Sequence, residues 1–379
     1  DPGIGSVVGG TGAGNRMMTH FEIAKQRLHN QRLAGAPFER TEEVVRWLGA
    51  VQAQDYAGAK WGLSQRTTGA ADAEIDRAFN TGTILRTHVM RPTWHFVTPA
   101  DIRWILALTS PRVHAVNAYH YRRLELDQAI FKRSDALIAG ALQGGRQRTR
   151  AELAAVLQDG GIPASGQRLG YLVMYAELEA VICSGARRGK QFTYALFDER
   201  VPPSAPLDRD AALAELARRY LTSHGPATLR DYAWWSGLTA ADAKAGLERV
   251  QSHFENEIVD GRTYWFAPPE RPAEVKDPTI HLLPNYDEHL ISSKDRYTRL
   301  DPNVPEDLDL ENGALIAHVI VKNGLVIGGW RRTLGKNQVF IETNLLVELN
   351  QTERDALEEA AKAYGRFLGL PVTLDGAPI

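Results

Sequence analysis

The chain has 379 residues, 44% apolar and 24% charged, with a formal net charge of −2, the composition of an ordinary globular protein long enough for two or three domains. No run approaches the roughly 18 apolar residues of a membrane span, and one cysteine, Cys183, excludes an internal disulfide and a cysteine-built zinc site and fits a reducing cytoplasm. The net charge argues against a nucleic-acid partner, but its distribution argues for one: residues 86–150 carry 11 Lys/Arg against 4 Asp/Glu, and residues 270–312 carry 5 against 11.

Residues 1–16, DPGIGSVVGGTGAGNR, hold six glycines. Their spacing fits neither GxGxxG nor GxxxxGK[ST], and no strand precedes them, so they read as a leader without fold rather than a phosphate loop. Three stretches then repeat one plan of helix, turn, helix and two short strands. In the first, Thr41 is expected to cap a helix with Val44, Val45, Leu48 and Val51 on one side. Residues 73–82 form a second helix, and TILRTHV and TWHFV are strands around Met90-Arg91-Pro92. A linking helical region covers about 99–130.

The second copy opens on Thr149-Arg150-Ala151-Glu152, a capping box in which each side chain serves the other's backbone amide. Its second helix, from about 167 to 180, puts Leu169, Leu172, Val173 and Ala176 on one face, and VICSG and QFTYALF flank the basic turn GARRGK. The third copy repeats the cap at Thr228 and Asp231, breaks at Gly237, and caps again at Thr239. ENEIVDGRTYWFA then reads as a hairpin with an Asp260-Gly261 turn. Trp234-Trp235 in this copy read as core packing. Helix-turn-helix plus a two-stranded hairpin is a winged helix.

Pro268, Pro269 and Pro272 mark a boundary. Beyond it, IHLLPNYDEHLI, ALIAHVIVKNGLVIGGW and QVFIETNLLVEL read as strands, Asn323-Gly324 as a hairpin turn, and a last helix runs from about Asn350 to Gly369. The expected class is α+β, divided into a leader (1–16), winged helix 1 with linking helices (17–130), winged helix 2 (131–203), winged helix 3 (204–269) and a C-terminal β-rich domain with a closing helix (270–379).

One stretch does not fit an apolar helix. VQAQD, residues 51–55, places Gln52 and Gln54 at the inner end of one. Each buried amide costs about 1–3 kcal/mol unless it finds partners. The two side chains share a side only in extended backbone; on a helix they diverge by about 200°. The helix is therefore expected to end near Gln52. Set beside MRPTWHFVTPADIRWIL and LLPNYDEHL, VQAQD makes the sequence resemble the AlkZ/YcaQ superfamily of winged-helix DNA glycosylases, from about residue 20 to 375. The resemblance implies three tandem winged helices and a C-terminal β-rich domain forming a concave DNA-binding surface. It also implies that Gln52 and Gln54, which match the Gln-x-Gln signature of the AlkZ branch (the YcaQ branch has aspartate second), are catalytic.

The activity it implies is monofunctional hydrolysis of the glycosidic bond of cationic N-alkylated purines such as N7-alkylguanine in double-stranded DNA. Bulky adducts, interstrand crosslinks and a self-resistance role follow on the same ground. No metal and no cofactor are called for; His88 and His95 have no third ligand. The enzyme is expected to be a cytoplasmic monomer. Asp55 is a rival, auxiliary base, or else a cap or a salt-bridge partner of a neighbour such as Arg91. Lys60 reads as a surface or phosphate contact rather than a Schiff-base amine. Arg91, Thr93 and His95 in the first hairpin, Arg187, Arg188 and Lys190 at the second wing tip, and Arg331, Arg332 and Lys336 near the C-terminal hairpin are candidate DNA contacts. Asn285 to His289 has no role beyond packing on this reading. The other reading is a non-catalytic winged-helix transcription regulator.

Overall fold

Paired caps and turn residues punctuate the chain into repeating units. A computed structural model describes residues 18–268, 277–294, 300–304 and 318–379. The glycine-rich leader, Pro269 and Pro272 lie outside the described residues. Each unit has a leading helix, a short strand, two further helices and a hairpin, and the short strand pairs with the hairpin's last strand. The first comprises Thr41–Leu48, Val51–Gln52, Tyr56–Ser64, Asp72–Thr81, Leu85–Val89 and Arg91–Val97. The second comprises Gln128–Leu142, Arg148–Thr149, Arg150–Asp159, Gly166–Leu178, Ile182–Ser184 and Thr193–Leu196. In the third, Arg209–His224, Leu229–Ser236 and Ala240–Val250 precede Glu255–Val259 and Arg262–Phe266, and the short strand shrinks to a bridge from Ala227 to Trp265.

The caps at Thr149, Thr228, Thr239 and Asn350 form as expected. Thr41 does not cap its helix. It is the first helical residue and buried, while Arg40 is the cap and Glu43 accepts its amide. The first unit also holds a helix that the sequence reading passed over, Tyr56–Ser64, so Thr41–Leu48 is a leading helix rather than the first half of the helix-turn-helix. An N-terminal helix, His20–Asn30, carries its own capping box from Thr19 and Glu22.

Among the described residues the C-terminal strands form a six-stranded sheet; Val339–Leu345 and Val372–Leu374 pair in parallel, joined by the helix Gln351–Leu368, and the other neighbouring strands pair antiparallel. Asn323 and Gly324, at φ of 50° and 90°, turn Val319–Lys322 into Leu325–Leu334. The stretch expected as one strand at 280–291 splits: Ile280–Leu283 is a strand, and Glu288–Ile291 is a single helical turn. Apolar side chains of the first unit pack directly on this sheet and its helix; Trp61 bonds the Leu282 carbonyl at 2.6 Å and stacks edge-on to Tyr364. The first unit's hairpin also shares a core with the second and third units through Val89, Met90, Leu178, Cys183, Tyr220 and Trp235. Trp235 is thus core, as expected, but Trp234 is 48% exposed and donates to the Ile291 carbonyl.

The first unit and the C-terminal turn are also joined by a buried ion pair. Arg66 grips Asp287 through both terminal nitrogens, at 2.9 and 2.8 Å, with each side chain only 2% exposed. Its remaining donors reach the carbonyls of Gln31 and Gly62. Breaking such a pair strands a buried charge, at a cost of about 3–5 kcal/mol. Arg66→Met is expected to lower unfolding free energy by about that amount, read as the urea midpoint at neutral pH.

Candidate active site

Gly49, at φ +83°, ends the helix Thr41–Leu48 in a conformation that disfavours a side chain. The helix thus ends before Gln52, as expected; the chain runs extended through Gln52 and then bends at Gln54, ahead of the helix Tyr56–Ser64. Val51 and Gln52 pair antiparallel with Phe96 and His95, and the Ala53 amide donates to the Trp94 carbonyl at 2.7 Å. Arg91, Thr93 and His95 alternate along their strand and His95 pairs directly with Gln52, so all three share the face that Gln52 occupies. The structure brings these four residues together. Arg91 Nη2 donates to Gln52 Oε1 at 2.8 Å and lies 3.4 Å from His95 Nε2. His95 Nδ1 lies 2.9 Å from the Thr93 carbonyl, which makes Nδ1 the donor and leaves Nε2 to accept from Arg91. The Thr93 hydroxyl is shielded and has no partner among the described residues.

The two glutamines differ in access. Gln52 is 8% exposed, with its amide orientation fixed by Arg91. Gln54 is exposed, and its Oε1 meets the Trp94 amide at a long 3.4 Å. Between them, the Ala53 carbonyl accepts from Arg86 Nε at 3.1 Å; that buried guanidinium lies over the Trp94 and Phe192 rings. Asp55 caps the next helix, accepting the Gly58 amide at 3.0 Å.

The residue that sequence reasoning missed is Glu288. Its Oε1 accepts the Gln52 amide at 2.8 Å, and its Oε2 accepts Trp235 Nε1 at 2.9 Å with His224 Nε2 at 3.4 Å. Burial opposes its charge. Contact with His224, the Gln52 amide and the Arg91 charge outweigh that and hold the carboxyl below its ordinary range, while burial pushes the His224 imidazole itself down and leaves it neutral near pH 7. Two adjacent acids in the polar stretch NYDEH, set between the apolar residues Leu282-Leu283 and Leu290-Ile291, were the available signal.

The other candidates separate. Arg187 is turned into the seam between the first two units: its amide donates to Asn80, and its guanidinium lies over Tyr56 and 3.5 Å from Asp76. Arg188 is exposed and pairs with Glu152 at 2.8 Å; Lys190 is exposed beside it. Arg331 and Lys336 are exposed on or just past the strand Leu325–Leu334, whose end also exposes Leu334. Arg332 leans over Trp330 and Tyr364. Lys60 is not a surface residue. It is 3% exposed and bridges Asp72 at 2.7 Å and Asp76 at 2.9 Å.

Burial and the adjacent Arg91 charge push the His95 imidazole down to about 3. Unfolded, it titrates near 6.5, so between those values the unfolded chain holds the extra proton. Its contribution to stability is complete above about pH 6.5 and is lost as pH falls towards 3. His281 and His289, each pushed down to about 4 by burial, act in the same direction. His95→Gln is expected to flatten the dependence of unfolding free energy on pH by up to about 1.4 kcal/mol per pH unit between pH 4 and 6, measured by urea titrations across that range.

The family model for DNA glycosylase AlkZ-like proteins matches residues 45–367, and the matched span contains every site residue described above. An interstrand DNA cross-link repair glycosylase of Streptomyces sahachiroi is 24% identical over 383 residues, covering 93% of this chain and 98% of its own. The solved structure of the Streptomyces sahachiroi DNA glycosylase AlkZ superposes with a TM-score of 0.76 at 20% identity, over 94% of this chain and all of its own, so the two share a mixed α+β fold. With a match over most of its length, this chain belongs to the AlkZ-like DNA glycosylase family.

Proposed function

We propose that the protein hydrolyses the N-glycosidic bond of cationic N-alkylated purines in double-stranded DNA, N7-alkylguanine above all, leaving an abasic site. The three helical units act as tandem winged helices and, with the C-terminal sheet, line a concave surface that takes the duplex. The observation that carries this reading is an exposed amide, Gln54, two residues beyond a second amide whose direction Arg91 fixes, both bonded to the first hairpin's last strand.

A neutral amide is no general base near pH 7, but a cationic leaving base needs little help. Alkylation at N7 has already weakened the glycosidic bond, and departure yields a neutral purine and an oxocarbenium-like sugar. Gln54 directs its carbonyl oxygen at the developing positive charge, where a fixed dipole suffices. Gln52 has one lone pair of Oε1 committed to Arg91, so its Nε2 protons are the free donors, suited to holding the attacking water. The Thr93 hydroxyl on the same face offers that water a second partner. Asp55 is occupied as a helix cap, which supports a structural role over that of a base. Lys60, locked between two aspartates, supports hydrolysis without a Schiff base.

The crosslink repair stated for the Streptomyces sahachiroi relative extends to this chain as part of the proposal. A surface that need not swallow the base tolerates bulky or bridged lesions better than a tight flipping pocket. Family membership weighs against the regulator reading.

Gln52→Ala and Gln54→Ala are each expected to leave the circular dichroism spectrum unchanged and to slow single-turnover release of 7-methylguanine by about 10²–10³-fold, scored as alkali-labile strand breaks. Full activity in both variants ends the assignment, as would a borohydride-trapped adduct with the native enzyme. Reversing charge at Arg331 and Lys336 together is expected to weaken binding to duplexes of any sequence and to lower the slope of log affinity against log salt by about two; an unchanged slope makes them bystanders.

A further inference from the structure

Arg91 poses an electrostatic problem for any reaction at these glutamines. It holds Gln52 in one orientation at 2.8 Å, yet a guanidinium there opposes positive charge developing on a nearby sugar. Burial makes the opposition stronger, because little water screens it. The same pocket contains the answer. Glu288, 1% exposed, reaches the other side of Gln52 and accepts its backbone amide at 2.8 Å. Glu288 and Arg91 sense each other's charge.

Glu288 is itself held from outside the first unit. Trp235 Nε1 donates to it at 2.9 Å, and His224 Nε2 lies 3.4 Å away, both from the third unit. His224 stacks on the Tyr220 ring and meets the Trp235 ring at a tilt, and the neighbouring Asp287 is clamped by Arg66. Its place is therefore fixed by two other parts of the fold. A neutral acceptor would have satisfied the Gln52 amide equally well; a buried carboxylate is costly and calls for a reason.

We propose that Glu288 is a positioning residue for base excision: it fixes the main chain under Gln52 and cancels the Arg91 charge, so that the paired amides face a cationic sugar with no net positive charge behind them. This rests on the glycosylase reading above. It gives the turn at residues 285–289, until now only a packing motif, a part in the reaction.

The test is a comparison of affinities by fluorescence anisotropy with the full chain. One duplex carries a pyrrolidine in place of a single deoxyribose, protonated like the oxocarbenium sugar; the other carries a neutral tetrahydrofuran. The native protein is expected to prefer the cationic duplex by about tenfold or more. Glu288→Gln reduces that ratio to about threefold or less, Glu288→Asp retains most of it, and adding Arg91→Met to Glu288→Gln restores part of it because both charges are then gone. A purely structural role for Glu288 predicts the reverse in the last case, a further loss. The proposal is overturned by a native ratio near one, by an unchanged ratio in Glu288→Gln, or by a double variant worse than the single. If Glu288→Gln does not fold, Arg91→Met alone decides: with Glu288 unopposed the preference rises, and a fall refutes the idea. Release of 7-methylguanine by the native enzyme is scored separately. No release sinks the glycosylase reading whatever the ratios, whereas release with an unchanged ratio in Glu288→Gln sinks only the role of Glu288.

Discussion

The main-chain amide of Gln52 bonds a carboxylate 236 residues away. Much of the architecture follows from that one contact. To reach the amide, the turn carrying Glu288 must lie against the first unit. To be tolerated there, the carboxylate must find donors, and they come from the third unit. The segment at 51–54 thus sits where the first unit, the third unit and the C-terminal sheet's turn converge. Its other side is closed by the first hairpin, whose strands pack on the second unit. A pair of amides mounted on one small unit would inherit that unit's flexibility. Mounted at a convergence, it is held from several directions at once, which is what a fixed dipole needs in order to act without reorganising.

Close packing at the convergence explains the composition of the helix that follows the glutamines. A side chain at Gly58 would meet Pro284 at 3.1 Å and Asp55 at 2.7 Å, and one at Gly62 would meet Asp287 at 3.0 Å. The glycines let the C-terminal turn approach near enough for Arg66 to grip Asp287 and for Glu288 to reach Gln52. They cost helix propensity, roughly 1 kcal/mol each against alanine. Tertiary contacts supply the difference.

That trade also sets what could be read beforehand. Elements specified by neighbours in sequence were legible: the Thr149, Thr228, Thr239 and Asn350 caps, the Asp260-Gly261 and Asn323-Gly324 turns, and the hairpins between them. The end of the helix before Gln52 was legible because two amides two residues apart cannot share a helical face. The helix Tyr56–Ser64 was not legible, because its glycines erase the local signal and answer to residues more than 220 positions away. Lys60 looked exposed for a similar reason: Asp72 and Asp76 meet it only once Asp72–Thr81 folds back. At the site, the glutamines and their hairpin partners were visible as motifs. Glu288 was not, since nothing near it in sequence announces Trp235, His224 or the Gln52 amide.

The charge arrangement has a consequence for selectivity. Two amides flanked by a guanidinium and a carboxylate amount to a nearly neutral, strongly dipolar surface. On the proposed mechanism, nothing among these groups protonates a leaving base. An ordinary purine, which departs as an anion unless it receives a proton, gains little from such a site. A base already carrying positive charge departs neutral, and the dipoles need only favour the sugar it leaves behind. Discrimination between damaged and normal DNA would then reside in the lesion's own chemistry rather than in a pocket that measures its shape. An enzyme built this way can afford an open surface, because the absence of an acid at Gln52 and Gln54 does the work that a tight pocket does elsewhere.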